Sequence, residues 1–278
     1  LNGYVGPIGE WPPGKHDVVL SYQVLANLVR GHAAAYRLIH EMQPEARVGF
    51  ALNFRDLRPH RAWFPLDQFA TANAIKALNT AFPSALATGV MTHPLGRISI
   101  PEAKGTQDYF GFNYYTRNFV SFDLRSVKTL FVRFFYAPDD DLSSSGFLAN
   151  VPESFFAGLK WVARTFPNLP ILVTENGVES ADDRIRPRYI AAHIHQMWRA
   201  VNFNWPVKGY FHWSLVDNFE WERGWTQRFG LWGLDVETQK RIKRPSVDLY
   251  AAICKENGLS SAMVQKYCPE VFDKIFPP

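Results

Sequence analysis

PILVTEN, residues 170–176, is an apolar run that ends in a carboxylate. Ile171, Leu172 and Val173 have strand character, and Gly177 closes the segment. Burying an unpaired carboxylate costs several kcal/mol, so Glu175 at the end of such a strand implies a task for it. Three further runs have the same form: RVGFALN at 47–53, DYFGFNYY at 108–115 and VKGYFHWSL at 207–215. Helical periodicity lies between them. DVVLSYQVLANLVRGHAAAYRLIHEM carries Leu25, Leu28, Val29, Tyr36 and Ile39 near helical spacing. PESFFAGLKWVARTF opens on Pro152 and Glu153 and stripes Phe155, Leu159 and Val162. RPRYIAAHIHQMWRAV places Ile190, Ile194, Met197, Trp198 and Val201 on one face, and RPSVDLYAAICKEN ends near Gly258. Strands alternating with helices predict an α/β fold with a parallel sheet and helices packed outside it. In barrels of this class the carboxyl ends of the strands face the active site, and a complete (β/α)8 barrel takes about 250 residues. Four strands make half a barrel.

The 278 residues suffice for one large domain or two small ones. Hydrophobic residues make up 47% and aromatics 15%, with nine Trp, which excludes a disordered chain. No apolar run reaches the roughly 18–20 residues of a membrane span. Cys254 and Cys268 form neither a metal spacing nor a disulfide framework, and so few cysteines favour the cytoplasm. The net charge of +4 is scattered, so KRIKR at 240–244 reads as a solvated loop rather than a nucleic-acid patch. His193 and His195, two apart on a helix, cannot share a face as metal ligands do. His32 reads as a core histidine, and His212 lies inside the last strand without a catalytic assignment. No glycine-rich phosphate loop implies a nucleotide cofactor. The stretch from Leu124 to Val151 is the least regular. Its Asp139, Asp140 and Asp141 lack calcium-loop spacing, so a surface loop near the mouth of a site is expected.

The segment after the last strand, WSLVDNFEWERGWTQRFGL at 213–231, sets Asp217, Glu220 and Glu222 among Trp213, Phe219, Trp221, Trp225 and Phe229. Carboxylates beside aromatic faces suit a sugar, whose hydroxyls need acceptors and whose C–H faces stack on rings. A packed aromatic corner with satisfied acids has the same composition, and residue types alone leave both readings open.

ILVTENG, FGFNYYT and WSLVDNFEWERGWTQRFGL, in this order after GYVGPIGEWPPGK, resemble the signature blocks of the glycoside hydrolase family 1 β-glycosidases. The resemblance covers the chain apart from 124–146 and the tail. It implies a (β/α)8 barrel, with residues 1–278 as a single domain forming its C-terminal half, strands 5–8. Residues 124–146 would be an irregular loop region and 259–278 a C-terminal tail. Glu175 matches the family's catalytic nucleophile and Tyr115 the tyrosine that touches it. Asn113 matches the asparagine of the same strand, Glu220 and Trp221 the pair that binds the outer sugar hydroxyls, and Trp213 the platform under the ring. Phe229 falls where an aromatic wall is common. Asp217 and Asn218 read as structural, and Arg228 and Glu222 as surface or loop residues. Relatives that cleave 6-phosphoglycosides carry serine, lysine and tyrosine where this chain has Glu220, Gln227 and Phe229. An acid facing a phosphate would repel it.

The implied activity is retaining hydrolysis of terminal, non-phosphorylated β-D-glucosides, with β-galactosides and β-fucosides as related substrates. No metal, cofactor, nucleic-acid partner or membrane is implied. Such chemistry needs a second carboxyl about 5–5.5 Å from the nucleophile. The family carries it in an N-E-P motif, expected just upstream of Leu1. Glu10 matches no catalytic position and reads as a loop residue. The expected partner is therefore the N-terminal half of the barrel, from the same chain or a split one. A catalytically inactive sugar-binding fragment and a transglycosidase on the same scaffold are the alternatives.

Overall fold

The computed structural model describes residues 4–6 and 11–278. Glu10 and most of the GYVGPIG segment lie outside the described residues. The chain divides into two compact units that share one long strand.

In the first unit, helix α1 (Val18–Met42) starts at Asp17, whose carboxylate accepts from the Leu20 N–H 2.9 Å away. Its buried stripe is Tyr22, Ala26, Val29 and Ala33, whereas Leu28 and Ile39 are exposed. The expected stripe through Leu28 and Ile39 thus gives way to a face of smaller side chains. The alanines let α1 approach Ala81, Ala85 and Leu86 closely. Strand β1 (Gly49–Pro59) is longer than its apolar run. It is followed by α2 (Pro65–Ile75), one π turn, and α3 (Ala81–Thr88), a helical region that the sequence pattern did not single out. A small hairpin follows, β2 (Val90–His93) with β3 (Gly96–Ser99). Strand β4 (Tyr109–Phe122) lies beside β1. Part of the region expected to be irregular is strand β5 (Val132–Phe135), which pairs antiparallel with the end of β4.

Asp67, in the first turn of α2, ties this unit together. It takes Arg61 Nε and Nη2 at 2.8 and 2.9 Å and the Phe122 N–H at 2.9 Å. The Arg61 guanidinium, with the two backbone donors, holds its carboxyl down at about 2.

In the second unit, the centre of β4 (residues 112–116) lies beside β6 (Ile171–Asn176), and β6 pairs parallel with β7 (Val207–His212). The parallel sheet expected from the alternating pattern is present. Phe112 and Tyr114 point to helix α4 (Pro152–Thr165), where Phe155 meets both rings; Asn113 and Tyr115 alternate to the other face. Helix α5 (Arg186–Asn202) buries Tyr189, Ile190, His193 and Ile194, while Trp198 and Val201, expected on its buried face, are exposed. A short hairpin, β8 (Trp232–Leu234) with β9 (Arg241–Lys243), takes in most of the basic run. Arg244, at its end, turns inward to Asp217. Helix α6 (Pro245–Glu256) ends at Asn257, and the expected tail contains α7 (Ser261–Tyr267) and α8 (Phe272–Ile275). Val264, Cys268, Val271 and Ile275 pack there on Ala191. No helix among the described residues is long and apolar enough to cross a membrane.

Because the folded pKa of Asp67 is depressed, its stabilising contribution is fully present above about pH 4 and lost as pH falls toward 2. Asp67→Asn is therefore expected to lower the urea midpoint at pH 6. The gap to wild type should close between pH 4 and pH 2, as followed by circular dichroism.

Candidate active site

The ends of β4, β6 and β7 bring the site residues together within the second unit. The pairing of β6 with β7 shifts register between Val173 and Asn176, so Glu175 leaves the regular ladder at the strand end. Irregularities of this kind re-aim side chains next to functional sites. Gly177 must follow, because a Cβ there would lie 1.9 Å from the Trp213 carbonyl oxygen.

Tyr115 donates its hydroxyl proton to Glu175 Oε2. Burial first, and then the Glu175 charge, push the Tyr115 pKa far above the ordinary tyrosine value, so the phenol stays protonated and remains a donor. One residue before Glu175 and two before Tyr115, Thr174 donates to Asn113 Oδ1. Behind them Asn176 is fully buried. Its amide nitrogen donates to the Tyr114 carbonyl at 2.8 Å and to the Tyr189 hydroxyl at 2.9 Å, and its oxygen accepts from Tyr210 at 2.8 Å. Asn176, Tyr189 and Tyr210 were not picked out from the sequence. The available signal was an amide beside an acid at the end of an apolar strand.

After β7 the Trp213 N–H donates to the Asn176 carbonyl at 3.0 Å, and the Trp213–Ser214 peptide is cis. Asp217 is buried, paired with Arg244 at 2.9 Å and bonded to the Gly230 N–H at 2.8 Å. Arg228 is half-buried and lies 3.6 Å from Asp217, so it helps hold this loop. Phe229 is 2% exposed and meets Tyr115 edge-on at 6.0 Å. Its visible contact is with the tyrosine rather than an open face.

Glu220 opens a tight turn closed by its own N–H to the Gly224 carbonyl at 2.7 Å. Burial raises the Glu220 pKa, Glu222 and Glu175 push it up further, and Arg223 opposes them. Glu175, Glu220 and Tyr115 therefore lie within electrostatic reach of one another. Trp221 follows and is 57% exposed to solvent. His212 is neutral, held down at about 3 by burial, and His193 is likewise pushed to about 3. Among the described residues no group of three His, Cys, Asp or Glu is placed to hold a metal.

The Glycosyl hydrolase family 1 model matches residues 2–259. The chain belongs to this family. A 1,4-beta-D-glucan glucohydrolase of Thermotoga neapolitana is 31% identical, over 91% of this chain and 60% of its own length. A beta-galactosidase of Saccharolobus solfataricus is 33% identical, over 93% of this chain and 53% of its own. Among solved structures, the beta-glycosidase from Pyrococcus horikoshii superposes with a TM-score of 0.85 at 28% identity, over 96% of this chain and 60% of that one. The beta-glucosidase from Thermotoga maritima in complex with glucoimidazole gives 0.81 at 29% identity, over 91% and 60%. This chain therefore spans 53–60% of these family 1 relatives. Its parallel sheet and helices correspond to a portion of their (β/α)8 barrel.

Removing the Glu222 charge should relieve part of the upward push on Glu220. In Glu222→Gln the Glu220 carboxyl is expected to titrate at lower pH than in wild type, read from its side-chain ¹³C resonance. An unchanged titration would remove Glu222 from its electrostatic surroundings.

Proposed function

We propose that this chain is the C-terminal half, strands 5–8, of a retaining β-glycosidase acting on terminal, non-phosphorylated β-D-glucosides and related β-galactosides or β-fucosides. The observation that carries the reading is the neutral Tyr115 phenol bonded to Glu175 at the joined ends of β4 and β6. A hydrogen bond to one carboxylate oxygen orients the group. Glu175 Oε2 is the oxygen so held, which leaves Oε1 to attack the anomeric carbon.

In the proposed reaction a C–O bond forms between Glu175 and the sugar while the bond to the aglycone oxygen breaks. A second carboxyl, supplied by the other half of the barrel, protonates that oxygen as it leaves. The same group then takes a proton from water, whose oxygen displaces Glu175 and releases the sugar. Glu220 and Trp221 take the outer hydroxyls and Trp213 lies under the ring. Asn113, fixed by Thr174, holds its amide beside the nucleophile strand. The raised pKa of Glu220 implies that sugar binding strengthens as pH rises through that value, when the carboxylate becomes the better acceptor.

Incubating the full-length protein with a 2-deoxy-2-fluoro β-glucoside is expected to leave a covalent adduct on Glu175, located by peptide mass spectrometry. An adduct on another carboxylate overturns the assignment. Tyr115→Phe is expected to lower kcat by roughly 10–100-fold with a small change in KM, since a hydrogen bond to a charged group contributes about 1.5–3 kcal/mol. The 278-residue chain alone, lacking the second carboxyl, should fall at least about 10²–10⁴-fold below the full-length protein on an aryl β-glucoside. Sugar binding without turnover by the full-length protein would favour a binding module.

A further inference from the structure

Residues 141–150 form a tongue within the second unit. Its base is an antiparallel bridge between Leu142 and Ala149, and its tip turns at Gly146, which has φ +74°. Asp141 is anchored on Arg188 of α5 at 3.0 Å, and the Ala149 N–H donates to Thr116 Oγ1 of β4 at 2.9 Å. At the tip, the Ser145 N–H and hydroxyl both lie 2.7 Å from Glu179 Oε1. Glu179 is buried and follows the nucleophile strand by three residues. Ser145 has one hydroxyl proton, and the carboxylate is the stronger acceptor. The same hydroxyl lies 3.1 Å from Gln227 Oε1. Phe147, two residues on, lies under the Arg223 guanidinium at 4.1 Å.

Arg223 belongs to the turn that carries Glu220 and Trp221. That turn is closed by short local bonds, Arg223 N–H to Glu220 O at 2.8 Å and Gly224 N–H to Trp221 O at 3.1 Å. Trp221 adopts φ +46°, a left-handed conformation that a bulky side chain keeps only where its surroundings over-determine it. Trp221 as a residue is more than half exposed. Phe219 and Trp225 meet edge to face at 5.9 Å within the segment, and Phe147 supplies a hold from outside it.

We propose that the 141–150 tongue is a positioning element of the sugar site: Ser145, locked on Glu179, seats Phe147 against Arg223 and so keeps Glu220 and Trp221 in register with Glu175. This rests on the reading of Glu175 and Glu220 given above. Phe147 touches no reacting atom; it acts through Arg223, the cation that opposes the upward push on Glu220. The tongue would thereby set how strongly the outer hydroxyls of the sugar are read, while leaving the nucleophile alone.

The test compares an aryl β-glucoside with its 4-deoxy analogue on the full-length protein, in wild type, Phe147→Ala and Phe147→Tyr. In Phe147→Ala the preference for the glucoside, as the ratio of kcat/KM values, is expected to fall about tenfold, mainly through KM. The maximal rate of covalent trapping on Glu175 should stay within about twofold. Phe147→Tyr, which keeps the ring, should restore the preference. Equal losses on both substrates, or an unchanged preference, overturn the positioning role while leaving the glycosidase reading intact. A wild-type protein that is neither trapped nor discriminating overturns both.

Discussion

The side chain of Asn176 is the constraint on which the second unit depends. Its two donors and its acceptor are spent on β4, α5 and β7, and its own backbone lies on β6. In a low-dielectric interior each of these bonds is stronger than in water, and each would be costly to leave unmade. Four elements can therefore meet at this level only in one relative arrangement. Glu175 is the next residue along the chain, so fixing Asn176 also fixes the point from which the carboxylate projects. The phenol of Tyr115 adds the last constraint from the neighbouring strand.

Two pairs of acids in this unit differ in their partners. Asp217 and Asp183 are buried opposite arginines, Asp217 against Arg244 and Asp183 against Arg186, and both also accept backbone N–H groups. Paired in this way they hold loops. Glu175 instead takes its hydrogen bond from a neutral phenol, and Glu220 lies between two other acids and one partly exposed arginine. A carboxylate left without a strong counter-ion keeps its capacity to bond or react with something that arrives. The two pairs differ in the charge of the groups beside them.

The parts of this arrangement that were legible in the sequence are those written in local periodicity. Each of the four main strands begins within one of the short apolar runs, and the stripe Phe155, Leu159, Val162 is buried as its spacing predicts. The α1 stripe follows its alanines rather than its largest side chains, because close helix packing favours small residues. The helices spanning Pro65–Thr88 escaped notice because their buried residues are small and include Asp67, Thr71 and Asn79, which weaken the apolar signal. Strand β5 was hidden because its pairing is non-local, set by β4 rather than by its own alternation. Long-range contacts such as that of Phe147 with Arg223 carry no local mark. Trp213, Glu220 and Trp221 could be singled out only through a spaced block pattern.

One feature of the strand end bears on chemical durability. Asn176 and Gly177 form an Asn–Gly pair, a sequence in which the following backbone nitrogen readily attacks the side-chain amide and converts it to an acid; asparagine is among the thermolabile residues for this reason. In the folded chain that attack is blocked. The amide is held by three partners, and the Gly177 N–H is itself bonded to the Tyr189 hydroxyl. Protection exists only while these bonds do, so deamidation of residue 176 records the time a molecule has spent open. An aspartate there would face the Tyr114 carbonyl with an acceptor where a donor is required, so the change would loosen the junction of β4 with β6 beside Glu175.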